Sequence, residues 1–159
     1  MDRLKFFIKY YDIAKKAGSR FGISWIIILA QAGLEGAYGT SFGARNRKNH
    51  FGITAFGKQN EFWDGTKSQA STGLWFRVYK TDQDSFYDFA RLIKEKYTAA
   101  AAVSEDHIKY ARAIAYSPYI SEANGDNRPV YEKNIINNSE FILKNIDAIT
   151  EKKKPEQQA

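Results

Sequence analysis

An acidic side chain near the end of an apolar helix is the feature of this sequence that points most directly to chemistry. Residues 25–30 are apolar on every helical face, and Ser24 has the side chain of an N-cap. Glu35 lies two turns after Ile28. Small residues, among them Gly33 and Gly36, would let a ligand or another backbone approach. Partial burial would raise the pKa of Glu35, as a general acid near neutral pH requires. A solvated or capping glutamate is the alternative interpretation.

Aromatic residues and glycines follow this helix, in an arrangement that suits glycan cleavage. Breaking a glycosidic bond needs an acid for the leaving oxygen, aromatic faces for the sugar rings and stabilisation of oxocarbenium-like charge. Glu35 could supply the acid. The candidate aromatic platforms, each of which could instead belong to the core, are Tyr38, Phe51, Trp63, Trp75 and Tyr116.

Several other kinds of catalytic site are missing from the sequence. It has no phosphate-binding glycine loop and no GxSxG elbow. The two histidines, His50 and His107, lack the spacing of metal ligands and are predicted to lie on the surface or in loops. The absence of cysteine excludes thiolate sites and disulfides. We therefore expect no metal and no cofactor.

Length and charge limit the domain count and the class of partner. The 159 residues are enough for one domain, assigned to residues 1–150, with a disordered tail at 151–159. The net charge of +6 favours a polyanionic partner: nucleic acid, an anionic membrane surface or an acidic cell-wall polymer. No apolar run is long enough to insert into a membrane, and the first residues do not form a signal peptide. We expect a monomer.

Hydrophobic spacing predicts helices wrapped on a core helix, with a small β-lobe inserted between the second and third helices. Gly18 is predicted to end the first helix, and Ser104 to cap the fourth. The β-lobe contains a turn at 63–66 and a strand at 74–79. The predicted helices cover residues 1–16, 24–35, 85–97, 107–116 and 130–149.

Two strings in this order resemble the paired signatures of a known enzyme family. ILAQAGLEGAYGTS at 28–41 and NHFGITA at 49–55 are similar to those of the peptidoglycan N-acetylglucosaminidases of glycoside hydrolase family 73, the flagellar cell-wall hydrolases and autolysins. The match continues with FWDGT at 62–66, WFRVYKTDQDSFYDFARLI at 75–93 and IAYSPYI at 114–120. It therefore covers most of residues 20–145 in family order.

The resemblance implies both a fold and an activity. The fold is α+β and mostly α: a lysozyme-like helical lobe, with a small β-hairpin lobe forming one side of a cleft. The activity is hydrolysis of the β-1,4 bond between N-acetylglucosamine and N-acetylmuramic acid, on the N-acetylglucosamine side. Peptidoglycan glycan strands would be the partner, so the protein would act in the periplasm or outside the cell.

The resemblance also assigns roles to individual residues. The general acid falls on Glu35, and a tyrosine of the catalytic cleft falls on Tyr116. Tyr38 replaces the tryptophan of a GWG element, while Asn49 and Phe51 match an element of the cleft wall. Three further candidate contacts to the substrate are Trp63, Trp75 and Tyr119.

The second catalytic group stays open, because the sequence departs from the family in the hairpin. Family members often carry an acid there in a Thr-Thr-Glu context, whereas residues 70–75 contain none. Glu61 or Asp64 could activate a water, and Asp64 is preferred because of its Trp-Asp-Gly-Thr turn, where it could equally be an ordinary turn residue. Alternatively, the acetamido group of the substrate attacks the anomeric carbon and no protein nucleophile is needed.

Three other functions compete with this interpretation. A muramidase would cleave the neighbouring bond with the same fold. A catalytically silent glycan-binding domain would explain the missing second acid. A nucleic-acid binder would explain the charge and the aromatic residues, but the sequence shows no basic helix or aromatic-basic repeat. The route of export is open between a domain of a longer exported protein, a phage lysin and an effector delivered by a secretion machine.

Overall fold

The computed structural model describes residues 2–151, apart from the side chain of Asn124. The predicted tail at 151–159 therefore lies, beyond Glu151, outside the described residues. A 3₁₀ helix spans Glu122–Asn124. The other elements are α1 (Arg3–Phe21), α2 (Trp25–Glu35), α3 (Phe42–Asn46), β1 (Lys67–Gln69), β2 (Trp75–Arg77), α4 (Asp82–Lys96), α5 (Thr98–Ala102), α6 (His107–Ala115), α7 (Arg128–Lys144) and α8 (Ile146–Thr150).

Helix α2 lies at the centre of the molecule, as the apolar run at residues 25–30 predicts. It packs against α1, α4, α6 and α7, and residues 27–30 have no exposed surface. The predicted N-cap is confirmed, because the Ser24 hydroxyl accepts a hydrogen bond from the Ile26 N–H at 3.2 Å. A helix buried on every side can project a polar group into a cleft only near its end, where Glu35 stands.

The first helix runs past the glycine that was predicted to end it. Gly18 lies inside α1, and a Cβ there would come within 2.4 Å of the Ile23 carbonyl oxygen. The helix ends instead at Gly22, whose φ of 69° is in the left-handed region that caps helices. The prediction was wrong because Gly18 serves the close approach of the turn into α2.

The remaining helices follow the predicted positions with local differences. Asp106, and not Ser104, caps α6, by accepting from the N–H groups of Ile108 and Lys109. The Ser104 hydroxyl instead accepts from the Ser24 N–H at 3.1 Å, across to the start of α2. The last predicted helix is divided at Asn145 into α7 and α8. Helix α5 was not predicted.

The β-lobe, residues 36–81, contains α3 and one short hairpin. Strands β1 and β2 pair antiparallel with Ser68 opposite Phe76. The predicted strand at 74–79 is only three residues long, because beyond it the Tyr79 N–H bonds to the Arg47 carbonyl at 2.9 Å. Thr54 adds an isolated bridge to Phe76, which attaches the preceding loop to the hairpin.

A buried charge cluster joins the β-lobe to the helical lobe. Asp88 on α4 has no exposed surface and accepts from Arg77 at 2.8 Å and from the Tyr79 hydroxyl at 2.5 Å. It also accepts from Asn60 at 3.0 Å and from Arg91 at 2.9 Å. Four donors satisfy the carboxylate, so the cluster holds the hairpin at a defined place against α4.

His50 lies in a loop, which is one of the two predicted alternatives, but it is buried and not on the surface. It is 1% exposed, and its Nε2 lies 2.9 Å from the Asp82 carboxylate at the start of α4. Its ring packs against Tyr10 and Phe86, with centroids 4.9 and 5.4 Å away. His50 therefore fastens the loop after α3 to the core. Among the described residues, no helix is long and apolar enough to cross a membrane.

Candidate active site

A cleft of about 780 Å³ separates the two lobes, and Glu35 lines it. A smaller cavity of about 180 Å³ beside it is also lined by Glu35, which therefore lies where the two spaces meet. The β-lobe side of the cleft consists of Phe51, Gly52, Ile53, Thr54, Phe56 and Leu74. The helical side includes Tyr97, Pro118, Tyr119, Ile120, Ser121, Asp126, Tyr131 and Asn134.

The turn after α2 depends on the small residues seen in the sequence. A Cβ on Gly36 would come within 2.9 Å of the His50 carbonyl oxygen, and one on Gly33 within 2.7 Å of the Tyr38 ring. The predicted close backbone approach is therefore confirmed at Gly36. Ala37 and Tyr38 have positive φ angles of 49° and 53°, so the chain turns sharply directly after Glu35. This turn brings the β-lobe back over the end of α2.

The carboxyl of Glu35 has a pKa raised to about 7. Burial is the largest cause, since a partly buried carboxylate loses hydration that the neutral acid does not need. A hydrogen bond from the Tyr131 hydroxyl, at 2.6 Å, favours the charged form and opposes this rise. The negative charge of Asp126 adds to it. Near neutral pH a substantial fraction of Glu35 is thus protonated and able to donate.

A chain of hydrogen bonds from α6 orients the tyrosine that contacts Glu35. The Tyr110 hydroxyl, fully buried, donates to Gln31 Oε1. Gln31 Nε2 then donates to the Tyr131 oxygen at 3.0 Å. Because that oxygen already accepts from Gln31, the Tyr131 proton is directed at Glu35. The chain therefore presets a donor for the carboxylate that forms when Glu35 loses its proton.

The tyrosine nearest the acid is not the one assigned from the sequence. Tyr116 is 45% exposed, does not line the cleft, and lies under the Arg112 guanidinium at 4.1 Å. Tyr131 occupies the place beside Glu35 and was missed. The available signal was helical spacing, because Tyr131 lies one turn before Ile135 on the inward face of the predicted last helix.

Phe51 and Tyr119 do lie in the cleft with Glu35. Phe51 is 2% exposed and stacks on Phe89 with ring centroids 4.0 Å apart, so it supports the wall from beneath. The sequence interpretation missed two strongly exposed apolar side chains at the same cleft, Phe56 at 75% and Leu74 at 51%. These two offer more open apolar surface to a sugar than Phe51 does.

The acids predicted at the hairpin mouth are not brought to Glu35. Asp64 and Glu61 line a separate cavity of about 90 Å³ together with Trp63. Asp64 accepts from the Thr66 N–H at 2.9 Å. Hydrogen bonding to Thr66, first to its side chain and then to its N–H, lowers the pKa of Asp64. Glu61 pairs with Arg20 at 2.6 Å. Asp64 thus has the geometry of a turn residue that bonds its own backbone.

The other predicted contacts to substrate have visible structural partners. Trp63 is buried, and its indole N–H donates to the Thr66 carbonyl at 2.7 Å. The Tyr38 hydroxyl donates to Asn138 at 3.0 Å. Asn49 lines the smaller cavity, and its side chain closes the loop to Ile53 through two hydrogen bonds of 2.9 and 3.0 Å. Trp75 is 45% exposed on β2 but does not line the main cleft.

Comparison with known families agrees with this geometry. A glucosaminidase family described as mannosyl-glycoprotein endo-β-N-acetylglucosaminidase matches residues 11–142. The chain belongs to this family. The glucosaminidase is accordingly a glycoside hydrolase. No curated protein sequence matches it.

Solved structures share the fold of this glucosaminidase. The glycoside hydrolase domain of FlgJ from Salmonella typhimurium has a TM-score of 0.68 and 22% identity, over 94% of each chain. A peptidoglycan hydrolase from Sphingomonas sp. A1 has a TM-score of 0.68 and 21% identity, over 96% of this chain and 99% of its own. A chain in the structure of a type VI secretion system effector-immunity complex from Pseudomonas protegens has a TM-score of 0.63 and 20% identity, over 87% of this chain and 92% of its own. The predicted α+β, mostly helical, lysozyme-like fold is confirmed.

Proposed function

We propose that this glucosaminidase hydrolyses the β-1,4 bond between N-acetylglucosamine and N-acetylmuramic acid of peptidoglycan, with Glu35 as the general acid. The observation that carries the proposal is the position of Glu35: a carboxyl with a pKa near 7 that lines the cleft of about 780 Å³ between the two lobes. Family membership supports the reaction class. The substrate lies in the cell wall, so the protein acts outside the cytoplasmic membrane.

The chemistry assigned to Glu35 is proton donation to the glycosidic oxygen. As the bond between this oxygen and the anomeric carbon breaks, the oxygen takes the proton and Glu35 becomes a carboxylate. The hydrogen bond from Tyr131, 2.6 Å from Glu35 Oε1, stabilises that carboxylate. Exposed apolar side chains on the β-lobe wall, led by Phe56, are placed to contact the faces of the sugar rings.

Digestion of purified peptidoglycan by wild type and Glu35→Gln tests this proposal. The amide is nearly isosteric with the acid but cannot protonate the leaving oxygen, so we expect turnover to fall at least about 100-fold. Products are reduced with borohydride and read by mass spectrometry, and we expect ends of reduced N-acetylglucosamine. Glu61→Gln is the matched control, because this carboxyl lines a different cavity, and it should retain activity.

Other results would identify the competing functions. Ends of reduced N-acetylmuramic acid would make the protein a muramidase. Binding to peptidoglycan without products from wild type would make it a glycan-binding domain. Full activity of Glu35→Gln would remove Glu35 from the mechanism.

A further inference from the structure

We infer that Asp126 is the second catalytic carboxylate of this cleft and acts as the general base that activates the attacking water. The inference rests on the proposed function of Glu35. It concerns the second catalytic group, for which the hairpin offers no acid, because Asp64 and Glu61, the two acids predicted for this role, line another cavity.

Two carboxylates line the main cleft among the described residues, Glu35 and Asp126. Glu35 stands at the end of α2, whereas Asp126 comes from the connection between the 3₁₀ helix and α7. Asp126 is exposed, so its carboxylate can meet solvent and a bound sugar. An inverting glycosidase needs such a pair, one carboxyl to donate and one to accept a proton.

Among the described residues, the side chain of Asp126 neither caps a helix nor pairs with another side chain. Asn127, the next residue, caps α7 by accepting from the Val130 N–H at 3.0 Å. Asp126 itself bonds through its backbone, from its N–H to the Ser121 carbonyl at 3.3 Å. Within residues 2–151, its carboxylate makes no hydrogen bond and no ion pair. The other acid of this connection, Glu122, is engaged with Arg128 at 3.3 Å.

The connection that carries Asp126 is held in place by one arginine. Arg128, at the start of α7, donates to the carbonyls of Ala115, Ser117 and Ile120 at 2.7, 2.8 and 2.9 Å. These bonds fix the chain between α6 and α7 to the helix that also bears Tyr131. Asp126 is therefore presented to the cleft from an anchored wall.

The charges of the two carboxylates fit complementary roles. Glu35 is faced by Tyr110 from α6, Tyr131 from α7, and Tyr119 and Asp126 from the connection between these helices. Of these groups, Asp126 contributes a negative charge, which raises the pKa of Glu35. Glu35 can therefore donate a proton beside a group that can accept one.

The proposed reaction is an inverting hydrolysis. The Asp126 carboxylate takes a proton from a water molecule while the water oxygen bonds to the anomeric carbon. The bond from that carbon to the leaving oxygen breaks, and the oxygen takes the proton of Glu35. Asp126 is then protonated and Glu35 ionised, and exchange with solvent restores both groups. The new hemiacetal has the opposite anomeric configuration to the substrate.

Two measurements on the intact chain test this inference. Proton NMR of soluble glycan strands, taken before mutarotation, should show that wild type releases the α anomer first. Asp126→Asn should lower kcat by roughly 100-fold or more, in the range found for removal of a general base. Glu122→Gln is the matched control, because it removes the same charge from the same connection outside the cleft, and it should stay close to wild type.

Azide separates a base from a residue that merely shapes the loop. Asp126→Ala with azide should regain turnover and form an α-glycosyl azide, because the anion needs no deprotonation. A thermal melt checks that each variant is folded.

The outcomes that overturn the inference differ from those that overturn the proposed function. First release of the β anomer would show net retention and would exclude a base that activates water for direct displacement. If Asp126→Asn keeps its kcat and only shifts the basic limb of the pH profile downward, Asp126 tunes Glu35 and is not the base. In both cases, N-acetylglucosamine ends that disappear in Glu35→Gln would leave the proposed function intact.

Discussion

At the scale of single residues, Glu35 is defined by opposing influences on one carboxyl. Burial and the charge of Asp126 raise its pKa, while the hydroxyl of Tyr131 holds it down. The Tyr131 hydroxyl thus limits the rise of the Glu35 pKa, and it stabilises the carboxylate that forms when Glu35 gives up its proton. The family resemblance assigned the cleft tyrosine to Tyr116, whereas the structure has Tyr131 beside the acid. Variants of these two tyrosines can therefore be compared directly.

Replacing Tyr131 with phenylalanine should move the pH dependence of the enzyme. The variant loses the hydrogen bond that favours ionised Glu35, so the pKa of Glu35 rises and the basic limb of the kcat/KM profile moves to higher pH. The maximal rate should fall, because the carboxylate formed in the reaction is less stabilised. Rates measured across pH 4 to about 9 test both effects.

Tyr116→Phe is the control for that experiment. Its hydroxyl lies on an exposed side chain outside the cleft, so its profile should match wild type. If Tyr116→Phe loses activity while Tyr131→Phe keeps it, the assignment from the family resemblance is correct and ours is wrong.

At the scale of elements, the cleft depends on how the hairpin is fixed to α4. Two strands of three residues each have little ladder of their own to stabilise them. Asp88 compensates by gathering donors from β2, from the chain beyond it and from the loop before it. The β-lobe wall is therefore positioned by a helix of the other lobe.

Asp88→Ala should destabilise the protein strongly. It leaves Arg77 and Arg91 largely buried without their counter-charge, which typically costs about 3–5 kcal/mol. For a domain of this size we expect the melting temperature to fall by about 10 °C or more. Thermal unfolding followed by circular dichroism measures the change.

Asp12→Asn serves as the comparison, because Asp12 is an exposed carboxylate on α1 and should change the melting temperature little. Equal melting temperatures for Asp88→Ala and wild type would show that the cluster does not hold the lobes together.

At the scale of the whole molecule, the raised pKa of Glu35 links folding to pH. In the unfolded chain the carboxyl has its ordinary pKa of 4.5, and in the folded protein about 7. Between these values the folded state holds a proton that the unfolded state has lost. Stability from this group is therefore fully present below pH 4.5 and is lost as pH rises through 7.

Replacing Glu35 with glutamine should remove the loss of stability that wild type shows as pH rises. Relative to wild type, Glu35→Gln should gain up to about 3 kcal/mol in free energy of unfolding between pH 4 and pH 8, since one pKa unit is worth about 1.4 kcal/mol. Urea unfolding of both proteins at the two pH values measures it. A difference between the proteins that does not change with pH would mean that Glu35 titrates normally.

The sequence by itself determined the features that depend on neighbours in the chain. A run of apolar residues after a capping serine specifies a buried helix, and the place of Glu35 at its end follows from the same segment. The glycines after that helix, and the outline of helices around an inserted β-lobe, follow from local spacing too. These features depend on interactions between residues a few positions apart, so hydrophobic periodicity and turn-forming residues predict them.

Only the tertiary structure decided which distant groups meet at that acid. Tyr131 lies 96 positions from Glu35 in the sequence. The chain has ten tyrosines, and the sequence does not show which of them contacts the acid. Likewise, Gly18 serves a close approach and His50 is enclosed by α1 and α4, neither of which spacing reveals. Asp126 lines the cleft from a connection that Arg128 joins to the Ala115 carbonyl. Such contacts depend on how whole helices pack, so a local sequence pattern does not identify the distant residue that a side chain will contact.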